Sequence, residues 1–167
     1  MTCQSDPELR EQRPGRPTVR AIVVEQHGGP EVLKVKDVVL ERPGSGQALV
    51  RLAVAGVNFV DIYQRRGIDP RPLPFTPGLE GAGLVEEVGE GVTNVKPGDR
   101  VTYARKPGAY SEASLVRADS LIPLPEGMSF EQGAAFPLQG MTAHYLIHEI
   151  PEAIIWRYEA LDEWSRR

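Results

Sequence analysis

The sequence predicts a mainly β chain with short helices, an α+β fold built on a small barrel or sandwich. Three observations predict it. Runs rich in valine and leucine, with partial alternation, recur between turns made of glycine and proline. The most glycine-rich stretch, PGLEGAGLVEEVGEG at residues 77 to 91, leads into β-branched residues rather than into an amphipathic helix. The helical patterns are short and carry their own start and stop signals.

Taken in order, residues 1 to 17 (MTCQSDPELREQRPGRP) combine three prolines with alternating charge and almost no apolar side chains. Such a segment cannot bury enough surface to order itself and is expected to be a disordered tail. Its Arg10, Arg13 and Arg16 are diluted by Glu8 and Glu11, so they read as solvated tail rather than a basic patch. From residue 18 the pattern is strand-like: VRAIVVEQ (19 to 26), EVLKVKDVVLE (31 to 41) and QALVRLAVAGV (47 to 57), with HGGP and RPGSG as turns. Three such runs in succession predict an antiparallel arrangement. Further short strands are expected at GLVEEVG, DRVTYAR and AYSEASLVR.

Two helical pieces interrupt the strands. NFVDIYQRRG (58 to 67) opens with Asn58 as an N-cap, places Asp61 in the first turn, and ends in Arg65, Arg66 and Gly67. Ser129 and Gln132 have the spacing of a capping box, after which the chain turns at Phe136 and Pro137 into QGMTAHYLIHE. The body from 18 to 149 is expected to be a single unit. Residues 150 to 167 diverge from it, with PEAIIWRYEALDEW (151 to 164) expected as one more helix because Ile154, Tyr158 and Leu161 share a face.

Composition bounds the function. With 41% hydrophobic and 25% charged residues, the 167-residue chain is long enough for one domain with its own core. A net charge of −4 gives no electrostatic reason to expect nucleic acid or an anionic membrane. No apolar run approaches the roughly 18 to 20 residues of a membrane span, and no signal-peptide core opens the chain, so a cytoplasmic location is expected. Cys3 is the only cysteine, which excludes an intrachain disulfide and a cysteine-based zinc site.

The glycine-rich stretch poses a choice between a phosphate cradle and a corner of β structure. A dinucleotide loop needs G-x-G-x-x-G between a strand and a helix. Here the order is G-x-x-G-x-G, and a strand pattern follows. The corner is the preferred reading.

GVNFVDIYQRRG, TPGLEGAGLVEEVGEGVTNVKPGDRV and AAFPLQGMTAHYLIHE, in this order and spacing, resemble the N-terminal catalytic domain of the zinc-independent, zeta-crystallin-like NADPH:quinone oxidoreductases of the medium-chain dehydrogenase/reductase superfamily. The resemblance spans residues 19 to 149. It implies a GroES-like, partly open β-barrel with the glycines at its corners. It also implies hydride transfer from NADPH to a quinone or enone, the protein supplying position and polarisation.

In zinc-dependent relatives a cysteine ligand falls where this chain has Asn58, a histidine ligand where it has Leu79, and a third ligand near Gln139. Leucine has no lone pair to donate and an amide oxygen is a poor replacement for thiolate, so no zinc is expected. His27 reads as a turn residue, and His144 and His148, one helical turn apart, read as surface or packing residues.

Carried over residue by residue, the resemblance implies that Asn58, Asp61 and Tyr63 line the nicotinamide and substrate cleft as catalytic residues, and that Gln139 and Thr142 contact the nicotinamide end of NADPH. On their own, Asn58 reads equally as an N-cap, Asp61 as a partner of the helix dipole and Tyr63 as packing on the barrel. The chain departs from relatives at Ile68-Asp69, where a tyrosine often follows the glycine.

A second departure lies at the C-terminus. Relatives continue into a Rossmann half with a glycine-rich turn, whereas the last glycine here is Gly140 and IPEAIIWRYEALDEWSRR fits no βαβ unit. The expectation is a truncated quinone oxidoreductase-like protein whose Rossmann half is absent and whose hydride transfer is weak or absent alone. An unfinished sheet edge and an uncovered apolar face would follow, with a risk of homo-oligomerisation. The segment at 151 to 164 then reads either as a cover for that face or as an ordinary surface helix. The alternative function is a non-catalytic interaction module for a protein partner such as a full-length reductase. A co-chaperonin role rests on fold analogy alone.

Overall fold

The computed structural model describes residues 16–149. Most of the expected tail and the whole of the expected helix at 151 to 164 lie outside the described residues.

The first hairpin pairs β1 (Thr18–Val23) with β2 (Lys34–Val39), antiparallel, from Thr18 opposite Val39 to Val23 opposite Lys34. The remaining strands are β3 (Gln47–Gly56), β4 (Glu80–Val88), β5 (Arg100–Tyr103), β6 (Ala113–Arg117) and β7 (Ile122–Pro123). They form an antiparallel sheet in the order β6-β3-β4-β5-β7. Among the described residues three α-helices join them: α1 (Phe59–Arg66) between β3 and β4, then α2 (Phe130–Ala135) and α3 (Pro137–His148) after β7.

The expected run of three antiparallel neighbours holds only for β1 and β2. β3 pairs with β4 and β6 instead. The reason lies in burial: Ala48, Leu49 and Val50 are all buried, so β3 needs cover on both faces, while the side chains of β2 are mostly exposed and suit an edge. The run expected from 31 starts late, because residues Pro30–Val32 form a 3₁₀ turn at a proline pre-set for helix entry. β7, two residues long, has too short a pattern to be visible in the sequence.

Residues 110 to 112 join the two sheets. Ile22 N–H donates to Tyr110 O at 2.8 Å, Glu112 N–H to Arg20 O at 2.9 Å and Leu52 N–H to Glu112 O at 2.9 Å. The result is a partly open barrel. Inside it Ala48, Val50, Val85, Val101, Tyr103 and Val116 form the main core, while Leu49 packs with Val19 and Ala113 on the other face of β3.

β4 runs through the middle of the glycine-rich stretch and carries Gly81 and Gly83, with Gly78 before the strand and Gly89 and Gly91 after it. A Cβ on Gly83 would stand 1.9 Å from Arg51 O, so only glycine permits β3 and β4 to approach here. The pairing slips between Leu49 and Val50 and again between Leu52 and Val54, the mark of a strongly bent strand pair. This outcome agrees with the corner expected from the sequence.

Candidate functional site

The site grows from three chain segments brought together by that bend. α1 starts where β3 ends, β4 opens at Glu80 just after Leu79, and α3 opens at Pro137. Asn58 is the N-cap of α1, and its main-chain N–H donates to Asp61 Oδ2 at 2.9 Å, the return half of a capping box. The capping pair at Ser129 and Gln132 is present in full, with Gln132 N–H donating to Ser129 Oγ and Ser129 N–H to Gln132 Oε1.

Glu80 is fully buried. Its Oε1 accepts from Asn58 Nδ2 at 2.9 Å and its Oε2 accepts from the main-chain N–H of Leu138 at 3.0 Å. The second bond sets the carboxylate against the N-terminus of α3, where the helix dipole favours negative charge. Asn58 Oδ1 in turn accepts from Gln139 Nε2 at 2.8 Å. Gly56 makes room for this cluster: a Cβ there would meet Glu80 Oε1 at 2.4 Å and Ala134 O at 2.5 Å.

Asp61, 5% exposed, takes a second hydrogen bond on Oδ2 from the Tyr110 hydroxyl at 2.9 Å. Its Oδ1 is buried with no partner among the described residues. Burial raises the Tyr110 hydroxyl well above the ordinary phenol range, and the bond to Asp61 raises it further, since a phenolate would face a carboxylate.

Of the five residues expected at the site, Asn58, Asp61 and Gln139 are thus brought into one hydrogen-bonded cluster. Tyr63 and Thr142 are not. Tyr63 is 46% exposed near the end of α1, and its main-chain oxygen accepts from Ile68 and Asp69. Thr142 turns its hydroxyl back to Leu138 O at 2.7 Å, one turn earlier on α3.

Sequence reasoning missed Glu80 and Tyr110. A signal for Glu80 existed: a carboxylate set between Leu79 and Gly81 in an apolar strand pattern has to be buried, and a buried carboxylate needs donors. α3 also bounds an apolar cleft of about 240 Å³, which Pro137 and Met141 line together with Phe136, Leu124 and Ile122.

The chemistry of the cluster is that of carboxamides. Asn58 and Gln139 offer N–H donors suited to a carbonyl or carboxamide oxygen. The positions where zinc ligands fall in metal-dependent relatives hold two neutral amides and the buried side chain of Leu79, and no three histidine, cysteine or acidic residues gather among the described residues. That donor set does not fit zinc. His144 and His148 pack at 4.4 Å between ring centroids, with no third donor beside them among the described residues.

Comparison with known proteins bears on the fold. Residues 44–126 match the alcohol dehydrogenase GroES-like domain. The quinone oxidoreductase of Pseudomonas aeruginosa is 48% identical over 128 residues, which cover 75% of this chain and 39% of that protein. The solved quinone oxidoreductase of Pseudomonas syringae superposes with a TM-score of 0.76 at 45% identity, over 79% of this chain and 41% of that one. The Escherichia coli quinone oxidoreductase, solved in complex with NADPH, gives a TM-score of 0.76 at 42% identity, over 78% and 41% of the two chains. The chain thus spans about two fifths of the length of the relatives it matches. By its fold and these likenesses, the chain carries the alcohol dehydrogenase GroES-like domain in the form in which quinone oxidoreductases have it.

Proposed function

We propose that residues 18 to 149 form the substrate-side catalytic domain of a zinc-independent hydride transfer from NADPH to a quinone or enone. The observation that carries this reading is the cluster of Asn58, Gln139, Glu80, Asp61 and Tyr110 at the mouths of α1 and α3, in a chain whose relatives are quinone oxidoreductases. When bound, NADPH supplies the hydride. Asn58 donates to the substrate or nicotinamide carbonyl, Gln139 holds the nicotinamide end with Thr142 one turn further along α3, and Tyr63, outside the cluster and exposed on α1, serves the substrate side. Asp61 acts through Asn58 and Tyr110, whose places it fixes.

The 167 residues contain no G-x-G-x-x-G sequence to cradle a diphosphate. A polypeptide of these residues is therefore expected to oxidise NADPH weakly or not at all with 1,4-benzoquinone at 340 nm, and a dinucleotide-binding domain added in the same or a separate chain is expected to restore turnover. In the restored enzyme Asn58→Leu lowers kcat/KM roughly 10²-fold, the usual effect of removing one donor to a developing oxyanion. Turnover that is unaffected by this change contradicts the assignment.

A second reading, a binding module for a protein partner or for a second copy, is favoured by one observation. Tyr145, Leu146 and Ile147 on α3, and Phe136 before it, are exposed apolar side chains. A pull-down or sedimentation experiment in which charged replacements at 145 and 147 abolish association supports it. An NADPH-dependent turnover indifferent to those replacements supports the enzyme.

A further inference from the structure

A hollow of about 430 Å³ is walled by residues of β6, β7 and α3 and by the segment that follows β5. No residue of the Asn58 cluster lines it. Val116, Ile122 and Met141 give it apolar walls, while Arg105, Lys106 and Arg117 bring positive charge and no acidic side chain takes part.

Arg105 and Lys106 are neighbours in sequence, and in an extended chain neighbouring side chains point to opposite faces. Here both line one cavity. The backbone of Arg105, with φ at 64°, lies in the left-handed region and breaks the alternation as the chain leaves β5. Among the described residues no other residue besides glycine takes a positive φ. The main-chain N–H of Lys106 then donates to Leu79 O at 3.2 Å, which fixes the turn.

The three cations differ in how far they are neutralised. Arg117 pairs with Asp119. Arg105 has neither a hydrogen bond nor an ion pair among the described residues. The Lys106 ammonium is half-buried and donates to Pro107 O at 2.7 Å, with no carboxylate beside it among the described residues. Burial therefore holds its proton affinity below that of an ordinary lysine. An anion placed here would replace the solvation that burial removes.

The walls decide which anion fits. Ile122 and Met141 also border the apolar cleft of about 240 Å³ that Phe136 and Leu124 line. A bare, strongly hydrated ion gains nothing from such walls, whereas an apolar tail is drawn out of water by them.

We propose that this hollow binds an organic carboxylate with an apolar tail, its carboxylate held by Arg105 and Lys106 and its tail laid against Ile122 and Met141. The guanidinium supplies a planar fork matched to two carboxylate oxygens, and the ammonium supplies a compact charge beside it.

The test titrates the full-length chain with octanoate, 1-octanol, acetate and sulfate, following heat and the main-chain amide NMR signals of residues 104–106 and 120–122. Octanoate is expected to shift these signals and to bind at least about tenfold more tightly than each of the other three, since one charge-assisted hydrogen bond supplies roughly that factor. Arg105→Asn removes the charge but keeps a residue that tolerates a left-handed backbone, so the fold is retained. Lys106→Met keeps an apolar stem without the ammonium. Each is expected to weaken octanoate about tenfold and to leave 1-octanol unchanged. If Lys106→Met does not fold, Arg105→Asn decides alone. The proposal is overturned if octanoate gives no saturable shift at these residues, if 1-octanol or sulfate binds as tightly, or if octanoate is unaffected by the loss of charge.

Discussion

Gly56 shows how much of the site hangs on a single missing methyl group. Alanine there would put its Cβ 2.5 Å from Ala134 O, a main-chain atom that cannot swing aside, as well as against Glu80. Gly56→Ala is expected to lower stability by about 1–3 kcal/mol, read from urea unfolding. The residues whose roles could be read in the sequence are those with local partners. Asn58 was legible as the N-cap of α1, and Ser129 and Gln132 sit three apart, the distance at which capping boxes act. Glu80 and Tyr110 have partners 22, 58 and 49 residues away, which only the folded chain brings near. Asp61 is the intermediate case: its place in the first turn of α1 was legible, its bonds from Asn58 N–H and Tyr110 were not.

At the scale of elements, α2 owes its position to its own cap and to one buried hydroxyl. Thr102 on β5 donates within reach of both Gly133 O at 2.7 Å and Gly81 O at 3.1 Å, tying α2 to β4. Ser129→Ala removes the cap of this six-residue helix and is expected to destabilise the protein by about 1 kcal/mol in equilibrium unfolding, with a smaller effect than Gly56→Ala. Strand positions were legible to within a few residues because apolar alternation is local. Strand order was not: β3 passes over its sequence neighbour β2 to lie between β4 and β6, a choice set by its two buried faces. The helices α1 and α3 were legible as helices, but not the fact that their starting residues meet across one carboxylate.

For the molecule as a whole, the core carries an alkaline limit. Tyr103 is buried in the barrel, and burial pushes its hydroxyl from an ordinary value of 10.0 up to about 12, partly offset by the neighbouring Ser114 hydroxyl, which it does not reach in good hydrogen-bond geometry. Below pH about 10 the folded and unfolded chains both hold this proton and its contribution is complete. As pH rises from about 10 to 12 the unfolded chain releases the proton first, so stability falls. Absorbance at 295 nm should show Tyr103 ionising only as the chain unfolds, and Tyr103→Phe should move the alkaline midpoint upward. An unchanged midpoint would assign the limit elsewhere, to Tyr110 first, which burial and the Asp61 carboxylate raise further still.

The ends of the two sheets have a consequence for how the chain behaves when crowded. β7 closes one side of the large sheet with only two residues, one of them Pro123, which has no N–H to give; β2 borders the small sheet with Lys34, Lys36 and Asp37. A foreign strand meets almost no free amides at β7 and a row guarded by charge at β2, so cross-β stacking, a common route by which β proteins precipitate during refolding, is disfavoured at these two borders.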